Sequence, residues 1–169
     1  MKTLTGTPKE LSMQLFNLDQ QKLYEIKEYH PLRGTQANRY FHKLVNEFAR
    51  YNRSNGYAIG DDEMKIRMNL DYGTIATKED GSVVGVAVPK GSDIKEFYPY
   101  AKFEYSKGNT DYYIFYKRTH ELNSKEFCQL IKGVEQECRD VGIKTLSDIE
   151  FENMMEEYEK EYKKWTTKY

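Results

Sequence analysis

Apolar residues recur along this chain at one of two periods, and the switches between the periods mark out the elements. From Thr35 to about Tyr51, the residues Ala37, Phe41, Leu44, Val45 and Phe48 fall three or four apart, which predicts a helix with Thr35 as its N-cap. A second run of this kind, Phe127, Leu130, Ile131, Val134, Cys138 and Val141, follows a capping box of Asn123 and Glu126 and is closed by Gly142. A third, Phe151, Met154, Met155, Tyr158, Tyr162 and Trp165, starts at the pair Ser147 and Glu150. Two shorter helices are predicted. One follows Thr7, with Pro8 at the first helical position and Glu10 completing a capping box; the other covers DDEMKIRMNLDYG, capped by Asp61 or Asp62 and closed by Gly73.

The other apolar segments alternate. KLYEIKEYH, residues 22–30, puts Tyr24, Ile26 and Glu28 on one face and Leu23, Glu25, Lys27 and Tyr29 on the other, which predicts a strand ended by Pro31. SVVGVAVP predicts a second strand. Residues 95–118 hold nine aromatics, and SKGNT divides them into two β-prone runs, a predicted hairpin. Helices at both ends of a largely antiparallel set of strands make an α+β chain with a small antiparallel sheet, and 169 residues suit one domain over 1–169.

The alternation of the hairpin offers two aromatic faces, Tyr112 with Tyr116 or Tyr113 with Phe115, and one of them looks outward unless the sheet is covered on both sides. Tyrosine and phenylalanine suit half-buried strands. Aromatic rings set among Lys102, Lys107, Lys117 and Arg118 are also how single-strand binders stack bases, and the sequence leaves both readings open.

Composition narrows the function classes. No apolar run approaches the roughly 18 residues of a membrane helix, so no membrane is expected. The amino terminus lacks the apolar core of a signal peptide, which makes the cytoplasm the expected location. Cys128 and Cys138 stand ten residues apart in one predicted helix, about 15 Å along its axis, too far to bridge. There is no paired CxxC, no Cys/His group at zinc spacing and no glycine-rich phosphate loop, so no metal or cofactor is expected. Asp61, Asp62 and Glu63 read as acids favoured by a helix dipole. His30, His42 and His120 are scattered outside any triad signature, which leaves a structure-selective nuclease as a weakly supported enzymatic alternative.

Charge changes the picture more. Arg39, His42, Lys43, Asn46, Arg50 and Arg53 lie within an arc of about 100° on the helix that begins at Thr35, opposite Phe41, Leu44 and Phe48. Residues 32–53 carry five Lys/Arg against the single acid Glu47, a local charge of +4 in a chain whose total is −1. Any amphipathic helix needs a solvated face, and lysine and arginine often fill it. An ordinary face, however, intersperses acids for i,i+4 pairing, and this one has a single acid. A stripe of one sign suits a phosphate backbone.

Two blocks carry a family resemblance. YEIKEYHPLRGTQANRYFHKLV, 24–45, resembles a segment of the NinB/Orf family of phage recombination proteins, in which a strand leads to a basic RSLDQN or RSLDAN and then an aromatic-containing helix. Arg33, Asn38, Tyr40 and Phe41 match; Gly34, Thr35 and Gln36 replace Ser-Leu-Asp, and Ala37 replaces the glutamine of some members. LNSKEFCQLIKGVEQECRDVGIKTLSDIEF, 122–151, resembles the second block of Firmicute phage members, with Lys125, Glu126, Leu130, Ile131, Glu137, Gly142, Ile143, Thr145 and Leu146 in place. The resemblance implies a non-enzymatic recombination mediator, a homodimer that binds single-stranded DNA and works with a host single-strand-binding protein so that a recombinase can load. The expected DNA contacts are Arg33, Asn38, Arg39, His42, Lys43, Asn46, Arg50 and Arg53, with Lys117 and Arg118 at the end of the hairpin and Tyr40 as a stacking group. The last helix offers the rival reading, a protein-interaction adaptor. Residues 148–169 hold seven acids against four lysines, which repels DNA, and Tyr158, Tyr162 and Trp165 form its expected partner or dimer surface.

Overall fold

The computed structural model describes residues 8–19, 21–22 and 35–166. The strand expected over 22–30 lies outside the described residues from Leu23 onward, as do Thr7 and Arg33, and the side chain of Trp165 is likewise outside the description.

Helix α1 (Pro8–Leu15) is followed by α2 (Thr35–Ser54) and α3 (Asp61–Tyr72), then by strands β1 (Gly85–Pro89), β2 (Ala101–Lys107) and β3 (Thr110–Phe115), a short 3₁₀ turn (Thr119–Glu121), and helices α4 (Ser124–Asp140) and α5 (Asp148–Thr166). This is an α+β chain. The apolar stripes of α2 to α5 turn inward on one another and form one core, with Phe41, Leu44, Met64, Leu130, Ile131 and Val134 sealed from solvent. Burying a side chain of this size contributes about 1.5–3 kcal/mol, so this cluster is the main source of stability among the described elements.

Local chemistry sets the helix ends. Asn123 Oδ1 accepts from the Glu126 N–H at 3.0 Å while Glu126 Oε2 accepts from the Asn123 N–H at 2.8 Å, the expected capping box of α4. Gly142, at φ +78°, takes the left-handed position after α4. The Gly142 N–H then reaches the Arg139 carbonyl and the Ile143 N–H the Cys138 carbonyl, which satisfies two helix-end acceptors. Ser147 and Glu150 close the same kind of box at the start of α5. At α3 the helix begins one residue earlier than Asp61 or Asp62 as caps would place it. Gly60 is the N-cap, and all three acids occupy the first turn, where they face the positive end of the helix dipole.

The sheet is antiparallel in the order β1-β3-β2, and β2 and β3 form the expected hairpin across Gly108 and Asn109. Gly108 sits at φ +60°, a conformation the tight turn requires and glycine adopts without strain. The segment SVVGVAVP enters the sheet at Gly85; ahead of it Val83 makes an isolated bridge to Thr77. A bulge in β2 sets Phe103 opposite Tyr113 and Tyr105 opposite Tyr112. No residue of the sheet belongs to the helical core cluster. The sheet joins the helices through polar contacts: Lys102 Nζ donates to the Leu70 carbonyl at the end of α3 at 3.0 Å, and Lys117 Nζ to Glu126 on α4 at 2.6 Å. Among the described residues no helix is long and apolar enough to cross a membrane.

Candidate nucleic-acid interface

The basic stripe exists as a surface because α2 is the most thoroughly anchored helix. Its Ala37, Phe41, Leu44, Val45, Phe48 and Ala49 are all buried, and this fixes the rotation of the helix about its axis. Arg39, His42, Lys43, Asn46, Arg50 and Arg53 are therefore all exposed on its outer side, as the spacing predicts.

The six are not equivalent. Arg39 and Arg50 make no ion pair among the described residues. Lys43 lies 3.9 Å from Glu47, a long, exposed i,i+4 contact worth about 0.3–0.5 kcal/mol that leaves the ammonium free to exchange partners. Arg53 is committed: its Nη1 donates to the Ile59 carbonyl at 2.9 Å and to Asp61 at 2.8 Å, tying the end of α2 to the start of α3. His42 is held below its ordinary pKa, by desolvation first and then by the neighbouring Lys65 of α3, so at neutral pH it adds a ring but no charge. Arg39, Lys43 and Arg50, with the polar Asn46 among them, remain as the available patch.

Tyr40 lies in the core rather than on the stripe. It is 8% exposed; its hydroxyl donates to Glu135 Oε1 at 2.5 Å and accepts from the Leu146 N–H at 2.9 Å. Burial and the Glu135 carboxylate push the phenol well above its ordinary pKa, and no ring face is open to a base. Glu135, itself 4% exposed, also lies 3.6 Å from Arg139, so this buried carboxylate has both a donor and a counter-charge. No spacing rule in the sequence links Tyr40 to Glu135, 95 residues away. Asn38 is half-buried on the flank of α2. Lys117 is half-buried in its ion pair with Glu126 and unavailable to a phosphate without breaking that pair, whereas Arg118 is exposed.

The surface expected on α5 divides as well. Phe151, Met154, Met155 and Tyr158 face the core, with Tyr158 2% exposed and its ring 5.5 Å from that of Phe127. Tyr158 therefore belongs to the helical core. Tyr162 is half-buried one turn further on, its ring stacked at 6.4 Å on Tyr158.

A feature the sequence left open is the sheet. Both of its faces carry exposed aromatics: Phe103 is 51% exposed on the side of Tyr113, and Tyr105 is 50% exposed on the side of Tyr112. The alternation of aromatics signalled the two faces, but nothing in it showed that neither would be roofed by a helix.

Among the described residues no three His, Cys, Asp or Glu side chains converge as a metal site would require. Burial pushes the Cys138 thiol up to about 12 and also raises that of Cys128, so neither is a poised nucleophile. No protein-family model, curated protein or solved structure matches this chain.

Proposed function

We propose that the chain is a non-enzymatic single-stranded-DNA-binding protein of the recombination-mediator kind, holding DNA beside a host single-strand-binding protein while a recombinase loads, and acting as a homodimer. The observation that carries the DNA-binding part is the outer face of α2. Arg39, Lys43 and Arg50 stand exposed there on a helix whose opposite side is locked into the core, with Glu47 as the only acid on the helix. The mediator part rests on the resemblance of residues 24–45 and 122–151.

Binding through such a patch depends on salt, because each phosphate neutralised releases a counterion. Three contacts give a log–log slope of about −2 on single strands, at about −0.7 per contact, where the full set of four to six cations expected from sequence would give about −3 to −4. The test is fluorescence anisotropy with single-stranded and duplex oligonucleotides over a salt series, on the wild type and on an Arg39→Glu/Lys43→Glu/Arg50→Glu variant. Salt-sensitive single-strand binding that the folded variant loses is the expected result. Absence of binding by the wild type at low salt overturns the reading.

A further inference from the structure

We propose that the sheet face bearing Tyr105 and Tyr112 is a base-stacking platform for single-stranded DNA, distinct from the phosphate-contacting face of α2; this rests on the DNA-binding reading above. The bulge in β2 brings Tyr105 directly opposite Tyr112, and their rings stack at 4.6 Å and 16°. That separation matches the distance between neighbouring strands, so the ring normals run across the sheet. The ring faces at the two ends of this stack are therefore the ones that matter.

Both are open. Beyond Tyr105 there is no further strand among the described residues, because β2 is an edge. On the other side Tyr112 has as its cross-strand neighbour Ala87, whose methyl group cannot cover a ring, and the flanking positions of β1 on this face are Gly85 and Pro89. A planar base laid above Ala87 continues the stack.

Charge selects the occupant. In the register of the three strands Lys102 and Lys107, which pair across from Ile114 and Thr110, stand on this face on either side of the tyrosines, and the bulge leaves Glu104, the one acid of β2, without a cross-strand partner. Lys102 is partly engaged with Leu70 and Asp71, while Lys107 makes no ion pair among the described residues. An interface between two copies would use the same patch twice and bring its lysines together, which disfavours a second copy here. A strand carrying phosphates and flat bases answers both the cations and the open rings. The opposite face is partly covered, with Tyr98 stacked on Phe115 at 5.2 Å and Ala101 2% exposed, and the ionised strand residue the register places there is the acid Asp111.

The test compares a fluorescent oligothymidine with an abasic oligomer of equal length, on the wild type, Tyr105→Ala/Tyr112→Ala, Tyr105→Phe/Tyr112→Phe and Ala87→Ile. The last variant keeps both tyrosines and raises strand propensity while filling the space beside Tyr112, so it stays informative if the alanine pair loosens the sheet. The platform predicts binding weakened by about tenfold per lost stack for the alanine pair and for Ala87→Ile, with little loss for the phenylalanine pair. It also predicts no difference among these proteins on the abasic oligomer. Equal binding of base-bearing and abasic oligomers by wild type and Ala87→Ile, with the α2 variant still defective, overturns the platform and leaves the DNA-binding reading standing. A wild type that binds neither oligomer overturns both. Sedimentation that shows the wild type self-associating and the tyrosine variants monomeric, with DNA binding unchanged, assigns the face to a second copy and overturns the platform as well.

Discussion

At the scale of single residues, the buried polar centre around Tyr40 is where one atom does most. Its hydroxyl joins a carboxylate on α4 to the loop that leads into α5, so it spans three segments at once. Tyr40→Phe keeps the ring and leaves Glu135 and the Leu146 N–H each short of a partner. The expected loss is about 1–3 kcal/mol in chemical denaturation, since a hydrogen bond to a charged group is involved. The same group sets a pH dependence. Its folded pKa is raised, as are those of Tyr72, to about 12 beside Glu137, and of Cys138, to about 12 by burial. Each therefore contributes stability that is complete below its ordinary value near 9 to 10 and is lost as the pH climbs toward 12. Denaturation midpoints should hold steady from pH 7 to about 9 and then fall. The fall should be shallower in Tyr40→Phe than in the wild type.

At the scale of elements, α3 and α4 approach so closely that one residue has to be glycine. A Cβ built on Gly133 would lie 2.2 Å from Cγ of Tyr72, whose hydroxyl is in turn held by Glu137 on the same helix. Glycine within a helix ordinarily costs about 1 kcal/mol relative to alanine, so Gly133→Ala on an open face would stabilise. Here the sign reverses: the extra methyl forces the helices apart or turns Tyr72 out, and urea denaturation should show a loss of about 1–3 kcal/mol. Elements of this kind were legible in the sequence wherever the determinants are local. The periods of α2 and α4, the boxes at Asn123 and Ser147 and the stop at Gly142 all involve residues within five positions of one another. The Gly133 contact was not legible, because its reason stands on another helix 61 positions earlier. The commitments of Arg53 to Asp61 and of Lys117 to Glu126 were hidden for a similar reason: both ions look free until the chain turns back.

At the scale of the whole molecule, the described residues divide into a helical unit with a sealed core and a sheet that shares none of it. Stability should divide in the same way. In native-state hydrogen exchange, the amides of α2 and α4 should open only with global unfolding, while those of β1 to β3 exchange through a cheaper local opening. Uniform protection across both would show that the polar contacts at Lys102 and Lys117 couple the two parts more tightly than their number suggests. The α+β class and the hairpin were readable from alternation and period. The separation of sheet from core was not, because alternating aromatics look the same whether a helix covers them or water does.

A small sheet that stands outside the sealed core can be extended by other strands at its margins, and the two strands there among the described residues, β1 and β2, are built to refuse. β1 ends in Pro89, which has no N–H to offer a newcomer, and β2 is interrupted by its bulge and carries Lys102 and Lys107. A foreign strand would meet a gap in the hydrogen-bond ladder on one side and a kinked, cationic margin on the other. The chain can thus display a broad aromatic surface to solvent without that surface becoming the seed of a fibril.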